Sequence, residues 1–245
     1  MQQRSEPSQN RDRRIIGLTG GIGMGKTTIA NYLASAYHLP TLDADLYARE
    51  AVQPDSQILA EIVERYGSGI LLPNQELDRR RLGIIIFNNP AERLWLEQRI
   101  HPYVRDRFLE EIARYHNQPQ PPTLVLVVPL LFEARMTDLV TEIWVVYCPA
   151  EIQVERLIQR DRNWIAGDEL TVLQAIQARI ESQMPIEKKL AEANVVLDNS
   201  STPEVWMAQV DQAMNNLQST CPLAPNCDSP TVPLGAHQER FVSRG

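Results

Sequence analysis

The run Gly20-Gly21-Ile22-Gly23-Met24-Gly25-Lys26-Thr27 fits the pattern G-x-x-x-x-G-K-[ST] in full. It lies between an apolar stretch, Ile15 to Leu18, and a helical segment, Lys26 to Tyr37. Strand, glycine-rich turn and helix in that order open an α/β fold in which the turn cradles phosphate. Further short runs rich in Val, Ile and Leu predict strands at Leu39 to Leu42, Thr123 to Val128, Ile143 to Tyr147 and Val195 to Leu197. Strands of that composition are buried on both faces, so the expected fold is α/β with a parallel five-stranded sheet.

The second and third strands are separated by about eighty residues, more than a simple crossover needs. The pattern there is mostly helical, including Ser56 to Tyr66 and Ala91 to Tyr115, and reads as a helical substrate-binding insertion over about 46–118. After the fourth strand, Glu151 to Asp161 and Glu169 to Gln183 read as two charged helices around the turn-like Asn163 to Asp168, a mobile lid over about 151–188. Residues 203–217 close the domain with a helix. The expected domain is therefore 14–217, with its core in 14–45, 120–150 and 190–217. Residues 1–13 are polar, and 218–245 carry Pro222, Pro225, Pro230 and Pro233 with few apolar residues; both ends are expected to be disordered.

A formal charge of −7 argues against a broad nucleic-acid or anionic-membrane surface, while leaving room for a local basic pocket. The longest apolar runs, such as Leu124 to Leu131, are far too short to cross a bilayer, and the first residues lack a signal-peptide core. The expected setting is cytoplasmic, with no nucleic acid and no membrane as partner. Three cysteines do not make a disulfide scaffold. Cys148 sits in an apolar run, and Cys221, Cys227 and His237 fall short of the four ligands of a structural zinc site.

Within the loop, Gly21, Gly23, Met24 and Gly25 are expected to aim backbone N–H groups at phosphate oxygens, helped by the positive end of the helix that follows. Lys26 reaches the β- and γ-phosphates of ATP, the Thr27 hydroxyl ligates Mg²⁺, and Thr28 supports the α-phosphate. The acceptor of the phosphate is a separate question. The third strand ends in Pro129, so the acid that a motor-type ATPase carries there is missing, and no Asn-Lys-x-Asp run for guanine occurs in the chain. Both favour a kinase. Asp43 and Asp45 follow the second strand, and if strand geometry persists their spacing puts both side chains on one face. There Asp45 can orient or deprotonate a hydroxyl; the competing reading makes it the N-cap of a helix from Leu46 to Val52. A nucleoside or nucleotide kinase, and a nucleotide-driven switch without an acceptor, remain open at this point.

From Ile15 to about Leu217 the sequence resembles the dephospho-CoA kinase family. The resemblance rests on the loop from Thr19 to Lys26, Asp43 to Asp45, His101-Pro102 and Val128 to Glu133. Gln159-Arg160-Asp161, Arg179 with Gln183, and Leu197-Asp198-Asn199 complete it. Asn194 stands where the family commonly has an aspartate. The resemblance implies a P-loop kinase core, a helical CoA-binding insertion and a helical lid, with ATP and dephospho-CoA as substrates. It also implies transfer of the γ-phosphate to the ribose 3′-hydroxyl, the last step of coenzyme A synthesis. Carried over by position, Lys26, Asp45 and Arg160 are the catalytic candidates. Arg160 would close over the phosphates with help from Arg156, one turn away on the same helix face.

Asp43, His101 and Glu133 are candidate substrate contacts. His101 reads first as a packing or capping residue and second as a substrate contact, and Glu133 and Arg135 follow the third strand at the end where α/β sheets bind ligands. The run Arg79-Arg80-Arg81 reads as a solvated charged face or a phosphate contact, and Trp95 and Trp164 as core or groove residues.

Overall fold

The structure, a computed structural model, describes residues 14–119, 122–161 and 169–215. Five strands, β1 (Ile15–Gly20), β2 (Thr41–Asp43), β3 (Leu124–Val127), β4 (Glu142–Tyr147) and β5 (Val195–Asp198), form one parallel sheet in the order β2-β3-β1-β4-β5. All five coincide with apolar runs of the sequence. β1 is central and buried along its whole length. Its residues alternate between two cores, as the period of a strand requires: Ile16 and Leu18 join one, Ile15 the other.

The first core packs α1 (Lys26–Ala36) and α9 (Pro203–Asn215) on the sheet through Ile29, Leu33, Trp206 and Val210. Tyr32 and Tyr37 both donate to Asp211 Oδ1, at 2.8 and 2.7 Å, which fastens α9 to α1. The second core packs α5 (Pro90–His116) on the other face through Val104, Phe108 and Ile112.

Between β2 and β3 run α2 (Ala44–Glu50), α3 (Gln57–Tyr66), α4 (Arg79–Asn88) and α5. They bury an apolar cluster of their own, with Val52, Leu59, Ile62, Leu82 and Leu96 at its centre. Each start has a chemical cause: Ser56 caps α3 through Leu59 N, Asp78 caps α4 through Arg81 N, and Asn89 caps α5 just before Pro90. Beyond β4 follow α6 (Ala150–Asp161), α7 (Glu169–Glu181) and the short α8 (Ile186–Ala191). α6 and α7 meet through Leu157, Val172 and Ile176, with Ile22 of the glycine-rich loop packed on the same cluster. Among the described residues no helix is long and apolar enough to cross a membrane. Trp164, Cys221, Cys227, His237 and both chain ends lie outside the described residues.

Candidate active site

In this strand order the chain reverses direction across the sheet at β1, and the crevice at the carboxyl ends of β1 and β3 is where such sheets bind ligands. The glycine-rich loop fills that end. α1 begins directly after it with Gly25 as N-cap and no side-chain cap; Thr28 N–H bonds Gly25 O at 3.0 Å, and Lys26 and Thr27 present the start of the helix to the crevice. Gly25 is left-handed (φ 96°), and a Cβ there would run into the Asn199 amide, whose Nδ2 donates to Met24 O at 2.9 Å. The Ile22 peptide is clamped on both sides: its N–H goes to Gln183 Oε1 at 2.9 Å, and its carbonyl accepts from Gln153 Nε2 at 2.7 Å. The loop is held rigid, but not every expected donor faces phosphate. Gly21 N–H goes to Met24 Sδ at 3.2 Å and Met24 N–H to Gly21 O at 3.3 Å, and both residues are buried, whereas Gly23 and Gly25 line the loop cavity.

Lys26 folds back over the loop, donating to Gly20 O at 3.1 Å and Gly21 O at 2.8 Å. Burial first, and the positive charge of Lys189 second, push its ammonium down to about 8. Thr27 and Thr28 are exposed at the start of α1. A cavity of about 860 Å³ opens here, lined by Gly23, Gly25, Lys26, Thr27, Asp45 and Pro129 on the core side. Arg156, Arg160, Asp161, Arg179 and Gln183 line it from the helical side.

The two aspartates part company. The β2 strand ends at Asp43, whose carboxylate accepts Asp45 N at 2.8 Å and caps α2. The expectation that both side chains share a strand face therefore fails: α2 starts two residues earlier than the sequence pattern indicated. The cap is Asp43, and Asp45 stands exposed in the first helical turn at the cavity. Burial raises the Asp43 carboxyl above its ordinary range. On the opposite wall Arg160 binds Asp161 through Nε (2.7 Å) and Nη2 (3.0 Å), and Arg179 pairs with the same carboxylate. Two arginines on one acid leave a net positive wall facing the loop. Arg156 is bent inward, its Nη2 donating to Asn199 O at 2.9 Å.

The dephospho-CoA kinase family model matches residues 14–204. A dephospho-CoA kinase of Trichormus variabilis is 58% identical over 203 residues, covering 83% of this chain and 97% of its own length. This chain belongs to the dephospho-CoA kinase family. The Synechococcus elongatus dephospho-CoA kinase is 50% identical over 205 residues, covering 84% of this chain and 93% of its own. Among solved structures, the dephospho-CoA kinase from Campylobacter jejuni aligns at 25% identity and a TM-score of 0.59, covering 83% of this chain and 96% of its own. A shikimate kinase from Acinetobacter baumannii shares the fold, at a TM-score of 0.50 and 15% identity over 85% of this chain and 97% of its own.

Not every candidate for a dephospho-CoA kinase site meets at the cavity. His101, in the middle of α5, lines neither the loop cavity nor the groove beside it, and burial lowers its pKa. Glu133 is turned to Lys189, 2.9 Å away, and accepts Met184 N at 2.9 Å. Trp95 is stacked by two guanidinium groups, Arg65 at 4.6 Å and Arg99 at 4.0 Å from the ring centre. The basic run divides: Arg79 lines the groove and donates to Arg49 O at 3.3 Å, while Arg81 bonds Gly69 O. Asn194, the departure from the family, accepts Ile143 N at 2.7 Å with its side-chain oxygen, a bond that an aspartate oxygen makes equally well. Lys189 and the loop clamp Gln153 went unseen in the sequence, since nothing marks a buried lysine or glutamine in a charged helix.

Proposed function

We propose that this chain transfers the γ-phosphate of ATP to the ribose 3′-hydroxyl of dephospho-CoA, giving coenzyme A in the last step of its synthesis. One observation carries the reading beyond family membership: Asp45 lines both the loop cavity and a second, mainly apolar groove of about 320 Å³. That groove is walled by Val52, Leu77, Leu82, Ile86 and Leu96, with Arg49 and Arg79 at its polar side. An apolar trough with two guanidinium groups suits an acceptor that has a long uncharged arm and a diphosphate. An acceptor lying in it presents its hydroxyl where the two spaces meet, beside Asp45.

In this reading ATP lies with its phosphates along Gly21 to Thr28, and Lys26 leaves the Gly20 and Gly21 carbonyls to pair with the β- and γ-oxygens. The exposed Thr27 hydroxyl is a hard oxygen donor at the phosphate end of the cavity, which fits Mg²⁺ held mainly by phosphates and water. Held there, Mg²⁺ would supply positive charge to the phosphate groups of ATP. Asp45 orients the 3′-hydroxyl and takes its proton as the bond to phosphorus forms. Because phosphoryl transfer is largely dissociative, alignment matters more than early proton removal. Arg160 and Arg156, on the lid side, neutralise the transferred group and exclude water. The cytoplasm is the compartment this reading assigns.

ADP release with ATP and Mg²⁺ should depend on dephospho-CoA and stay near background with AMP, adenosine or shikimate. Equal release without any acceptor would replace the kinase reading with an ATPase, and preference for a mononucleotide would move the acceptor class.

A further inference from the structure

Of the charged residues in α8, Glu187 and Lys188 are exposed, whereas Lys189 is fully buried at 0% exposure. An ammonium out of water carries a large desolvation cost, and an apolar side chain of the same length would fill the site with less. A lysine kept there is therefore poor evidence for stability and points to what it holds. Its Nζ lies 2.9 Å from Glu133 Oε1 and donates to Pro129 O at 3.2 Å. Both partners follow β3 at the mouth of the crevice, and Pro129 O also accepts from Thr19 Oγ1, at the end of β1.

The contacts continue toward the phosphates. Glu133 Oε1 takes the Met184 N–H, and next to Met184 the Gln183 side chain takes the Ile22 N–H of the loop. One turn back, Arg179 shares Asp161 with Arg160. Glu133 Oε2 is buried and finds no hydrogen-bond partner among the described residues, and Lys189 is the cation in direct contact with the carboxylate, with the Lys26 charge acting on it as well.

We propose that Lys189 and Glu133 are a positioning pair that ties the segment 183–189 to the mouth of β3 and thereby holds Gln183 on the phosphate loop and Arg179 over the transferred phosphate. The pair touches neither substrate; it acts through Gln183, Met184 and Pro129, and its two charges also act on Lys26 in opposite directions, Lys189 lowering its pKa and Glu133 raising it. This rests on the kinase reading for its catalytic consequence, but the mechanical linkage stands apart from it.

The test uses the full chain with Glu133→Gln, Lys189→Met and the double variant. Turnover with dephospho-CoA should fall about tenfold in each, with the KM for dephospho-CoA within about twofold, and the double variant should be no worse than the poorer single one, because one linkage is broken once. The ratio of ADP released to acceptor phosphorylated should rise at least about threefold, since a displaced Arg179 admits water; a loss of folded protein alone leaves that ratio unchanged. Hydrogen exchange with a non-hydrolysable ATP analogue gives an acceptor-independent readout. Peptides covering 20–28 and 179–189 should lose protection in the variants while those covering β1 and β3 keep it. Unchanged turnover, ratio and exchange in a folded Glu133→Gln protein would overturn the proposal, and that variant decides the matter if Lys189→Met does not fold. Wild-type protein that phosphorylates nothing would instead sink the kinase reading, leaving the exchange result to judge the linkage.

Discussion

The carboxylate of Asp43 accepts the backbone N–H of Asp45 at 2.8 Å, so one aspartate fixes the start of α2 and the other faces the cavity. Two acids of identical type, two residues apart, thus carry different work. Asp45→Asn should lower turnover at least about tenfold with an unchanged melting curve. Asp43→Ala removes a helix cap and should cost about 1 kcal/mol of stability, seen as a lower melting temperature. Near-normal turnover in Asp45→Asn would take that residue out of the mechanism.

Lys26 has its ammonium lowered from 10.5 to about 8 by burial and by Lys189. It is cationic below that value and neutral above it, so kcat/KM for ATP, which reports the free enzyme, should fall as pH rises through about 8. Bound phosphates favour the charged form, and kcat at saturating ATP should hold to higher pH. A kcat/KM profile flat from pH 7 to about 9.5 would contradict this assignment.

Gly25 and Gly67 both have positive φ, 96° and 80°, but their surroundings differ. A Cβ on Gly25 meets the Asn199 amide, whereas one on Gly67 has nothing within 4 Å. Gly25→Ala should raise the KM for ATP at least about tenfold by displacing the loop. Gly67→Ala meets no neighbour but bears the strain of φ 80°, ψ 166°, about 1–3 kcal/mol of stability, and should keep its kinetics. Equal kinetic damage from both would show that the loop packing has no special role.

Glu92 accepts from Arg65 Nε and Nη2, at 2.6 and 2.8 Å, and from Tyr66 Oη. The Arg65 bonds chiefly, then Tyr66, hold its carboxyl down at about 2, against 4.5 ordinarily. A carboxyl depressed on folding stabilises above its unfolded value and loses that contribution as pH falls toward its folded one. Melting temperature should therefore drop between pH 4.5 and about 2, and Glu92→Gln should flatten that part of the curve. An acid limb of the same steepness in the variant would assign it to other carboxylates.

The sheet was legible because strands buried on both faces of a parallel sheet read as unbroken Val, Ile and Leu runs, and the phosphate loop because its chemistry leaves few choices of residue. α4 was not. Arg79-Arg80-Arg81 followed by Gly83 and three isoleucines has no helical period, and the helix exists because Asp78 caps it and Leu82 enters the core of α2–α5. The partition between Asp43 and Asp45 depended on where the helix begins, a boundary that spacing fixes poorly. Lys189 was invisible because neighbouring lysines in one short helix differ only in which face the tertiary packing covers. Trp95, open to core or groove from its type, does both: it packs on the cluster of α2–α5 and lines a groove with Arg65 and Arg99, which come from two different helices.

The central claim is that phosphate passes to the 3′-hydroxyl of dephospho-CoA, and it is tested most directly by the mass and phosphorus NMR spectrum of the product formed from ATP, Mg²⁺ and dephospho-CoA. The account predicts dephospho-CoA one phosphate heavier, with the new phosphate on the ribose 3′-oxygen and one ADP for each product. Unaltered dephospho-CoA beside accumulating ADP, or a phosphate at another position, would contradict it.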